Sequence, residues 1–264
     1  MLFIRSLIFT LFMLLSLVIY ATAVLFSPVM PAAAREALPP AWANLALGAL
    51  RLICRLDYRV EGAENIPDEP GIAFWKHQSM WETIAQIVVF PRQCWVLKKG
   101  LMAVPFVGWA LRFYQPIAID RKAGRRAVEQ VIEQGQERLA AGRWVMIFPE
   151  GTRMPPGATR RYGMSGILLA EKSGRPIVPV AHNAGDFWRR NGILKRPGMI
   201  IVRIGKPVYT HGRPLDTVAA EIQTWIETQM KDITPGYAGT VLPKSGQRNL
   251  QRERHEKPGP DCGN

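Results

Sequence analysis

The stretch Gly71-Ile-Ala-Phe-Trp75, followed directly by Lys76-His-Gln-Ser-Met-Trp-Glu82, decides the fold of this 264-residue chain. Its first five residues are apolar and too few for a helix, so they predict a short buried strand. A polar cluster directly after a buried strand is typical of the carboxyl edge of an α/β sheet, where such proteins bind their ligands. We therefore expect His77 to lie at a strand end and to belong to a site.

Glu82 is the acidic residue nearest to His77 in the sequence. A neutral imidazole can accept a proton near physiological pH, and a carboxylate can hold the ring in the required tautomer. The same residues allow a structural interpretation, because Ser79-Met-Trp-Glu82 matches the S-x-x-E capping box of a helix start. The two interpretations are compatible, since a cap also fixes the position of a neighbouring base.

Short apolar runs alternate with segments of helical periodicity through the rest of the chain. The runs that predict further strands are 94–97, 116–119, 144–148, 176–180 and 199–204. The segments that predict helices begin near residues 80 and 125 and cover 165–172 and 217–233. This alternation predicts an α/β fold, with a mainly parallel sheet flanked by helices on both faces.

An uncharged apolar run covers residues 7–26 and is long enough to cross the hydrocarbon core of a bilayer. A cleaved signal peptide is one alternative, with Ala21-Thr-Ala23 as its cleavage site, but the apolar run continues past that point. A re-entrant or interfacial helix is another alternative. We expect a membrane-anchoring helix here.

A second segment, 41–56, follows Pro39-Pro40, and its apolar residues at helical spacing include Trp42, Leu45 and Leu52. It predicts either an amphipathic helix at the membrane surface or a core helix. The chain is therefore predicted to divide into four parts. Residues 1–30 form an apolar anchor, and residues 31–57 form a second, amphipathic helix. Residues 58–234 form a globular domain, and residues 235–264 form a flexible polar tail.

The net charge of the chain is +13, which indicates an anionic partner: nucleic acid, an anionic lipid leaflet or a phosphorylated substrate. Nucleic acid is not favoured, since no recognition helix or aromatic stacking pattern accompanies the basic residues. The three cysteines and four histidines lack metal-ligand spacing, so no metal site is predicted.

Two further predicted strands end in charged residues. Asp120-Arg121 follows one of them, and Glu150-Gly-Thr-Arg153 follows the next. Arginine binds phosphate bidentately, and glycine lets backbone N–H groups approach an anion closely. Together with His77, these residues suit a substrate that carries a hydroxyl and a phosphate. The chain has no G-x-S-x-G and no G-x-x-x-x-G-K-[ST], so neither a serine hydrolase nor an NTP-using enzyme is indicated.

Four segments in this order resemble the motifs of the glycerolipid acyltransferase family: His77-Gln-Ser-Met-Trp-Glu82, Ile119-Asp-Arg121, Phe148-Pro-Glu-Gly-Thr-Arg153 and Ile177-Val-Pro-Val180. The resemblance covers about residues 60–210. The chain departs from the family at Glu82, where Asp is commoner. Glutamate keeps the charge but adds a methylene, so the backbone must adjust its distance to the imidazole.

The resemblance implies transfer of a fatty acyl group from acyl-CoA or acyl-carrier protein to the free hydroxyl of 1-acyl-glycerol 3-phosphate, giving phosphatidic acid without a cofactor. It implies that His77 is the catalytic base and that Glu82 orients it. The other implied roles are phosphate binding by Arg121, Gly151, Thr152 and Arg153, loop positioning by Asp120 and Glu150, and an apolar wall at Pro179.

Two alternatives keep the same motifs. Another acceptor, such as glycerol 3-phosphate, another lysophospholipid or a lyso-aminolipid, would use the same chemistry. A non-catalytic protein of this fold would bind membrane lipids without turnover. We expect the domain on the cytoplasmic side of the inner membrane, facing anionic lipids, because Arg35, Arg51 and Arg55 follow the first apolar segment.

Overall fold

The computed structural model describes residues 1–108, 111, 114–120 and 122–243. The helices in that part of the chain are α1 (Leu2–Leu25), α2 (Ala32–Cys54), α3 (Trp81–Val89), α4 (Arg125–Ala140), α5 (Ser165–Ser173), α6 (Ala184–Phe187) and α7 (Leu215–Ile233). Single 3-10 turns cover Ser27–Val29, Ala63–Asn65 and Lys99–Ala103. The strands are β1 (Leu56–Glu61), β2 (Ile72–Trp75), β3 (Gln93–Lys98), β4 (Ile117–Ile119), β5 (Trp144–Ile147), β6 (Ala158–Thr159), β7 (Ile177–His182), β8 (Gly198–Ile204) and β9 (Thr240–Val241).

Seven of these strands form one sheet in the order β1-β8-β7-β2-β5-β3-β4. The five strands from β7 to β4 run parallel, β8 is antiparallel to β7, and β1 is parallel to β8. The predicted α/β fold with a mainly parallel sheet is therefore confirmed. Because β2 lies between β7 and β5, the residues that follow β2 reach the middle of the carboxyl edge.

Two helical layers cover the sheet. The first three helices pack on one face around Trp75, and α4, α5 and α7 pack on the other face around Phe74. All four residues of β2 are buried, because alternate side chains of the strand enter opposite layers. This is why the strand has no polar side and reads as a continuous apolar run.

The helix α2 begins earlier than the sequence predicts, at Ala32, and contains both Pro39 and Pro40. A proline inside a helix removes the hydrogen bond to the carbonyl four residues before it. For Pro39 that carbonyl belongs to Arg35, and it lies 3.5 Å from the hydroxyl of Tyr114. The globular domain thus supplies a replacement donor, which the local sequence does not reveal.

The N-terminal pair, α1 and α2, meets the length and apolarity that a membrane-crossing helix needs. The two helices pack against each other, with the rings of Tyr20 and Trp42 stacked at a centroid distance of 5.3 Å. One face of α1 also enters the core of the domain, since Phe9 is fully buried and meets the ring of Trp188 edge-on at 5.7 Å. The expected pair of N-terminal apolar helices is therefore present, and α1 packs against the domain.

Residues 235–243 pack on the domain, although the sequence grouped them with the polar tail. Tyr237 is buried, and β9 pairs in parallel with β6. A single aromatic residue and one short pairing supply the burial that composition alone did not indicate. Residues 244–264 lie outside the described residues.

Candidate active site

The loop that follows β2 is fixed by backbone hydrogen bonds on two sides. Lys76 donates its N–H to the carbonyl of Val180 on β7 at 3.0 Å, which extends the sheet pairing by one residue. The carbonyl of His77 accepts the N–H of Met154 at 2.7 Å. His77 itself is 8 % exposed, so its imidazole is held rigidly while its edge reaches the surface.

His77 and Glu82 form a direct hydrogen-bonded pair. The distance between Nδ1 of His77 and Oε1 of Glu82 is 2.9 Å. The same oxygen accepts the backbone N–H of Gln78 at 2.9 Å and of Ser79 at 2.8 Å. Glu82 therefore caps the start of α3 and contacts the imidazole at once, so both interpretations of the sequence describe one arrangement.

The charge of Glu82 decides which nitrogen of His77 carries the hydrogen. Burial acts to raise the pKa of this carboxyl, but the hydrogen bond from His77 and the nearby imidazole of His182 leave the pKa below its ordinary value. Glu82 is therefore ionised at neutral pH and can only accept hydrogen bonds. It follows that Nδ1 of His77 donates to Glu82 and that Nε2 carries the lone pair.

The ring of Phe148 supports the imidazole. The two ring centroids are 3.9 Å apart and the planes are inclined by 16°. Phe148 follows β5, which pairs with β2 in parallel through Ile147 and Phe74. Because neighbouring parallel strands end at the same edge, the two rings are brought side by side.

Glu150 braces the loop beneath His77. Its Oε2 accepts the backbone N–H of His77 at 2.9 Å, and its Oε1 accepts a hydrogen bond from Nζ of Lys76 at 2.7 Å. Burial raises the pKa of Glu150 to about 7, although the ammonium of Lys76 opposes that shift. Glu150 contacts the backbone of His77, as a loop-positioning residue would.

Lys76 is a buried residue of this region that sequence reasoning left without a role. Its side chain is fully buried, and Nζ donates to Oε1 of Glu227 on α7 at 2.9 Å, as well as to Glu150. Glu227 also accepts hydrogen bonds from the hydroxyls of Thr159, Tyr162 and Tyr237. In the sequence, the position of this lysine between the apolar run that ends at Trp75 and the candidate base His77 could have indicated a buried charge.

The loop after Phe148 carries the predicted phosphate-binding residues. Gly151 adopts a left-handed φ of 69°, a conformation that favours glycine, and Thr152 beside it is half-buried. Nη2 of Arg153 lies 3.8 Å from the sulfur of Met80, the exposed residue of the His77 loop. Within the described residues, the buried Nε of Arg153 has no hydrogen-bond partner. The structure thus brings Arg153 next to the loop of His77.

Two of the predicted residues, Asp120 and Pro179, are not brought to this cluster. The side chain of Asp120 accepts the N–H of Lys122 at 2.9 Å and lines a separate cavity of about 590 Å³. Pro179 lines another cavity of about 370 Å³ beside Trp225 of α7. Pro179 therefore does not lie beside His77, because its side of β7 faces α7. Arg121 lies outside the described residues.

A cavity of about 280 Å³ opens beside Phe148. Its walls include Gly151 on one side and Arg160 and Arg161 on another. A larger cavity, of about 650 Å³, lies between α2 and the connection from α3 to β3, and no residue of the His77 loop lines it. Among the described residues, the smaller cavity is connected to the imidazole only through Phe148, which lines the cavity and stacks on His77.

Among the residues that the structure describes, no group of three or more His, Cys, Asp and Glu side chains could hold a metal ion.

The geometry can be set beside known proteins. A family model described as Acyltransferase matches residues 57–183. The 1-acyl-sn-glycerol-3-phosphate acyltransferase of Pseudomonas aeruginosa is 38% identical over 237 residues, which cover 88% of this chain and 92% of that protein. The enzyme of the same name from Saccharomyces cerevisiae is 30% identical over 205 residues, covering 74% of this chain and 67% of the relative.

A solved structure has the same fold. It is the crystal structure of the 1-acyl-sn-glycerophosphate acyltransferase from Thermotoga maritima, with a TM-score of 0.75 and 24% identity, covering 89% of this chain and 98% of that one. The family model and the sequence relatives confirm the resemblance, and the chain belongs to the acyltransferase family.

Proposed function

We propose that this protein transfers a fatty acyl group from a thioester to the free hydroxyl of 1-acyl-glycerol 3-phosphate, which gives phosphatidic acid. The observation that carries the proposal is the pair of His77 and ionised Glu82 at the carboxyl end of β2, with Nδ1 and Oε1 2.9 Å apart. The names of the relatives, all 1-acyl-sn-glycerol-3-phosphate acyltransferases, support this acceptor.

The proposed reaction is a direct transfer. Nε2 of His77 takes the proton of the acceptor hydroxyl as that oxygen attacks the thioester carbonyl. The new C–O bond forms, the C–S bond breaks, and the departing thiolate takes the proton back from the imidazolium. Glu82 stabilises the imidazolium in between, and general-base assistance of this kind contributes ~10²–10⁴-fold in rate.

We assign the acceptor phosphate to the loop after β5. Arg153, with the backbone of Gly151 and Thr152, would hold the phosphate, and Arg121 would assist. This assignment is supported by the chemistry of the acceptor, since its phosphate and its free hydroxyl are on adjacent carbons. The phosphate must therefore bind close to the base, and Arg153 lies against Met80 in the loop of His77. Glu150 positions that loop.

The acyl donor is proposed to be acyl-CoA or acyl-carrier protein, with no cofactor. Both donors carry the acyl group on a thioester, and the thiolate they release is a good leaving group. No covalent acyl-enzyme is needed in this scheme, because the acceptor oxygen attacks the thioester itself.

The helices α1 and α2 are proposed to hold the domain at the cytoplasmic face of the inner membrane. One face of α1 is fixed to the protein, where the hydroxyl of Ser6 accepts the N–H of Lys195 at 2.9 Å. Its other face exposes large apolar side chains, among them Leu7, Ile8, Leu11, Leu15 and Ile19. A helix attached in this way would place its exposed face in lipid while the active site stays at the surface where both substrates reside.

The proposal is tested by acyl transfer with purified protein in detergent. Lysophosphatidic acid, glycerol 3-phosphate and neutral lysolipids would be offered with each donor. We expect turnover of lysophosphatidic acid, abolished in His77→Ala and reduced ~10²–10⁴-fold in Glu82→Gln, because the amide cannot stabilise the imidazolium. His211→Ala, which changes an exposed histidine, is the matched control.

Each other outcome leads to a different conclusion about the protein. Turnover with another acceptor alone would keep the mechanism and replace the substrate. Full activity of His77→Ala would overturn the assignment of the base. If the folded protein transferred no acyl group to any acceptor, the result would favour a non-catalytic lipid-binding protein.

A further inference from the structure

We propose that Arg160 and Arg161 bind the phosphate of the acyl donor, at the cavity beside Phe148. This is a second anion site, distinct from Arg153, and it rests on the proposed function because it assigns the donor side of the same reaction. The ligand chemistry is a phosphate joined through a pantetheine arm to the thioester, which coenzyme A and carrier protein share.

The lining of the cavity combines apolar side chains with two arginines and Glu150. Apolar side chains from β3, β4, β5 and α4 line it, namely Val96, Ile119, Ile147, Val128 and Val131. Arg160 and Arg161 line it as well, and Phe148, whose ring stacks on His77, forms part of the same wall. An acyl thioester on a phosphorylated arm has this distribution of apolar and anionic groups.

The two arginines have no carboxylate partner among the described residues. Salt bridges join Arg92 and Arg143 to Glu36, and Arg203 to Glu61, whereas none involves Arg160 or Arg161. Nη2 of Arg160 donates to the carbonyl of Pro243 at 3.2 Å, and its buried Nε has no partner within that part of the chain. A guanidinium fork without a carboxylate is suited to a phosphate.

The backbone that carries the arginines is held in place. Arg160 follows β6, which pairs with β9, and its carbonyl accepts a hydrogen bond from Nε2 of Gln223 on α7 at 3.0 Å. The position of the Arg160 backbone is therefore fixed before any ligand binds, which reduces the ordering cost of binding.

The arginine of the acceptor site lies outside this cavity, although Gly151 of the same loop lines it. Arg153 lies against Met80, and its carbonyl accepts a hydrogen bond from Arg190, whereas neither Met80 nor Arg153 lines the cavity. In the acceptor, the phosphate is one carbon away from the reacting hydroxyl. In the donor, the long pantetheine arm separates phosphate from thioester, so its anion site must lie further from the imidazole than Arg153. Arg160 and Arg161, which line the cavity while Arg153 does not, are assigned to the phosphate of the donor.

The test measures the KM of each substrate in Arg160→Ala, Arg161→Ala and the double variant. We expect the KM of acyl-CoA, of acyl-carrier protein or of both to rise about tenfold or more in the double variant, as for loss of charge-assisted hydrogen bonds. The KM of lysophosphatidic acid should stay within twofold. The acyl thioester of N-acetylcysteamine, which has no phosphate, should react equally well with wild type and variants.

Arg59→Ala on β1 is the control, since it removes an exposed arginine at the far edge of the sheet. A rise in the KM of one donor alone supports the site and identifies that donor as the source of the phosphate. The inference would be overturned if the KM of lysophosphatidic acid rose instead. It would also be overturned if the variants lost as much activity with the N-acetylcysteamine thioester as with the phosphorylated donors. Titration with free coenzyme A needs no turnover, so weaker binding by the double variant tests the coenzyme A site even if the acceptor is another lipid.

Discussion

At the residue scale, Lys76 connects the loop of His77 to a helix that is distant in the sequence. Its ammonium lies between the carboxylates of Glu150 and Glu227, at 2.7 and 2.9 Å, with no exposure to water. A buried ammonium is tolerated only when it is paired, and each carboxylate here depends on it in the same way. The three residues therefore behave as one unit.

Lys76→Met should lower the free energy of unfolding by ~3–5 kcal/mol, because it leaves two buried carboxylates facing each other without a cation. Thermal or chemical denaturation of the purified protein measures this. Adding Glu227→Gln should recover part of the loss, since one of the two negative charges is removed. Equal stability of the single and double variants would argue against electrostatic coupling.

Glu150 makes a pH dependence testable. Burial raises its pKa to about 7 in the folded protein, above the ordinary carboxyl value. A group with a raised pKa stabilises the fold most when it is protonated, so its contribution is full below the ordinary value and is lost as the pH rises through about 7. The stability of wild type relative to Glu150→Gln should fall over this window, as measured by denaturation across pH 4 to 8. If the stability of wild type relative to Glu150→Gln rose with pH instead, the pKa of Glu150 would be lowered rather than raised in the folded protein.

The residues of the site differ in how far sequence predicts their place. His77 and Glu82 are five positions apart at a helix start, so local rules place them together. Lys76 meets Glu227 across 151 positions, and only the packing of α7 on the sheet reveals that partner. Pro179 was expected beside the site because it is in a motif, but the alternation of β7 turns it to the other helical layer.

At the scale of elements, α1 has two chemically different faces. Phe9 is fully buried against Trp188, whereas Leu11 is 59 % exposed. Periodicity in the sequence does not separate these faces, because both are apolar. The polar residues Ser6 and Thr10 mark the inner face, since their hydroxyls contact Lys195.

Phe9→Ala should destabilise the whole protein by ~3–5 kcal/mol, because it opens a cavity in a shared core. Leu11→Ala, two positions away, should leave the unfolding midpoint nearly unchanged. Thermal denaturation in one detergent compares the two variants. Similar midpoints for both would mean that α1 contributes little to the stability of the domain.

The elements themselves were largely predictable. Apolar runs and helical periodicity located the strands β2 to β5, β7 and β8 and the helices α4, α5 and α7, whereas the short strand β6 was not predicted. The start of α2 was not predictable, since prolines ordinarily begin a helix and here the hydroxyl of Tyr114 lies near one of the carbonyls that they leave without a partner. The two strands β1 and β8 run antiparallel to the other five, and this was likewise not predictable because it depends on the assembled sheet.

At the scale of the whole molecule, the net charge of +13 and the exposed face of α1 would act together if the protein binds a membrane as proposed. The protein should bind vesicles with anionic lipids more tightly than neutral ones, by ~1 kcal/mol for each basic residue at the surface. Raising the salt concentration should weaken the anionic preference, because exposed charges are screened. Sedimentation with vesicles of each composition measures both effects, and equal binding to neutral vesicles at every salt concentration would contradict the electrostatic contribution.

The pairing of β9 with β6 and the burial of Tyr237 bear on when the enzyme becomes active during its synthesis. The loop with Arg160 is held by residues 237–243, which leave the ribosome long after α1 and α2. A nascent chain could therefore reach the membrane by its first helices while the loops of its active site are still unfixed. Acyl transfer would begin only after residues 237–243 have left the ribosome, so that shorter chains at the membrane consume no substrate.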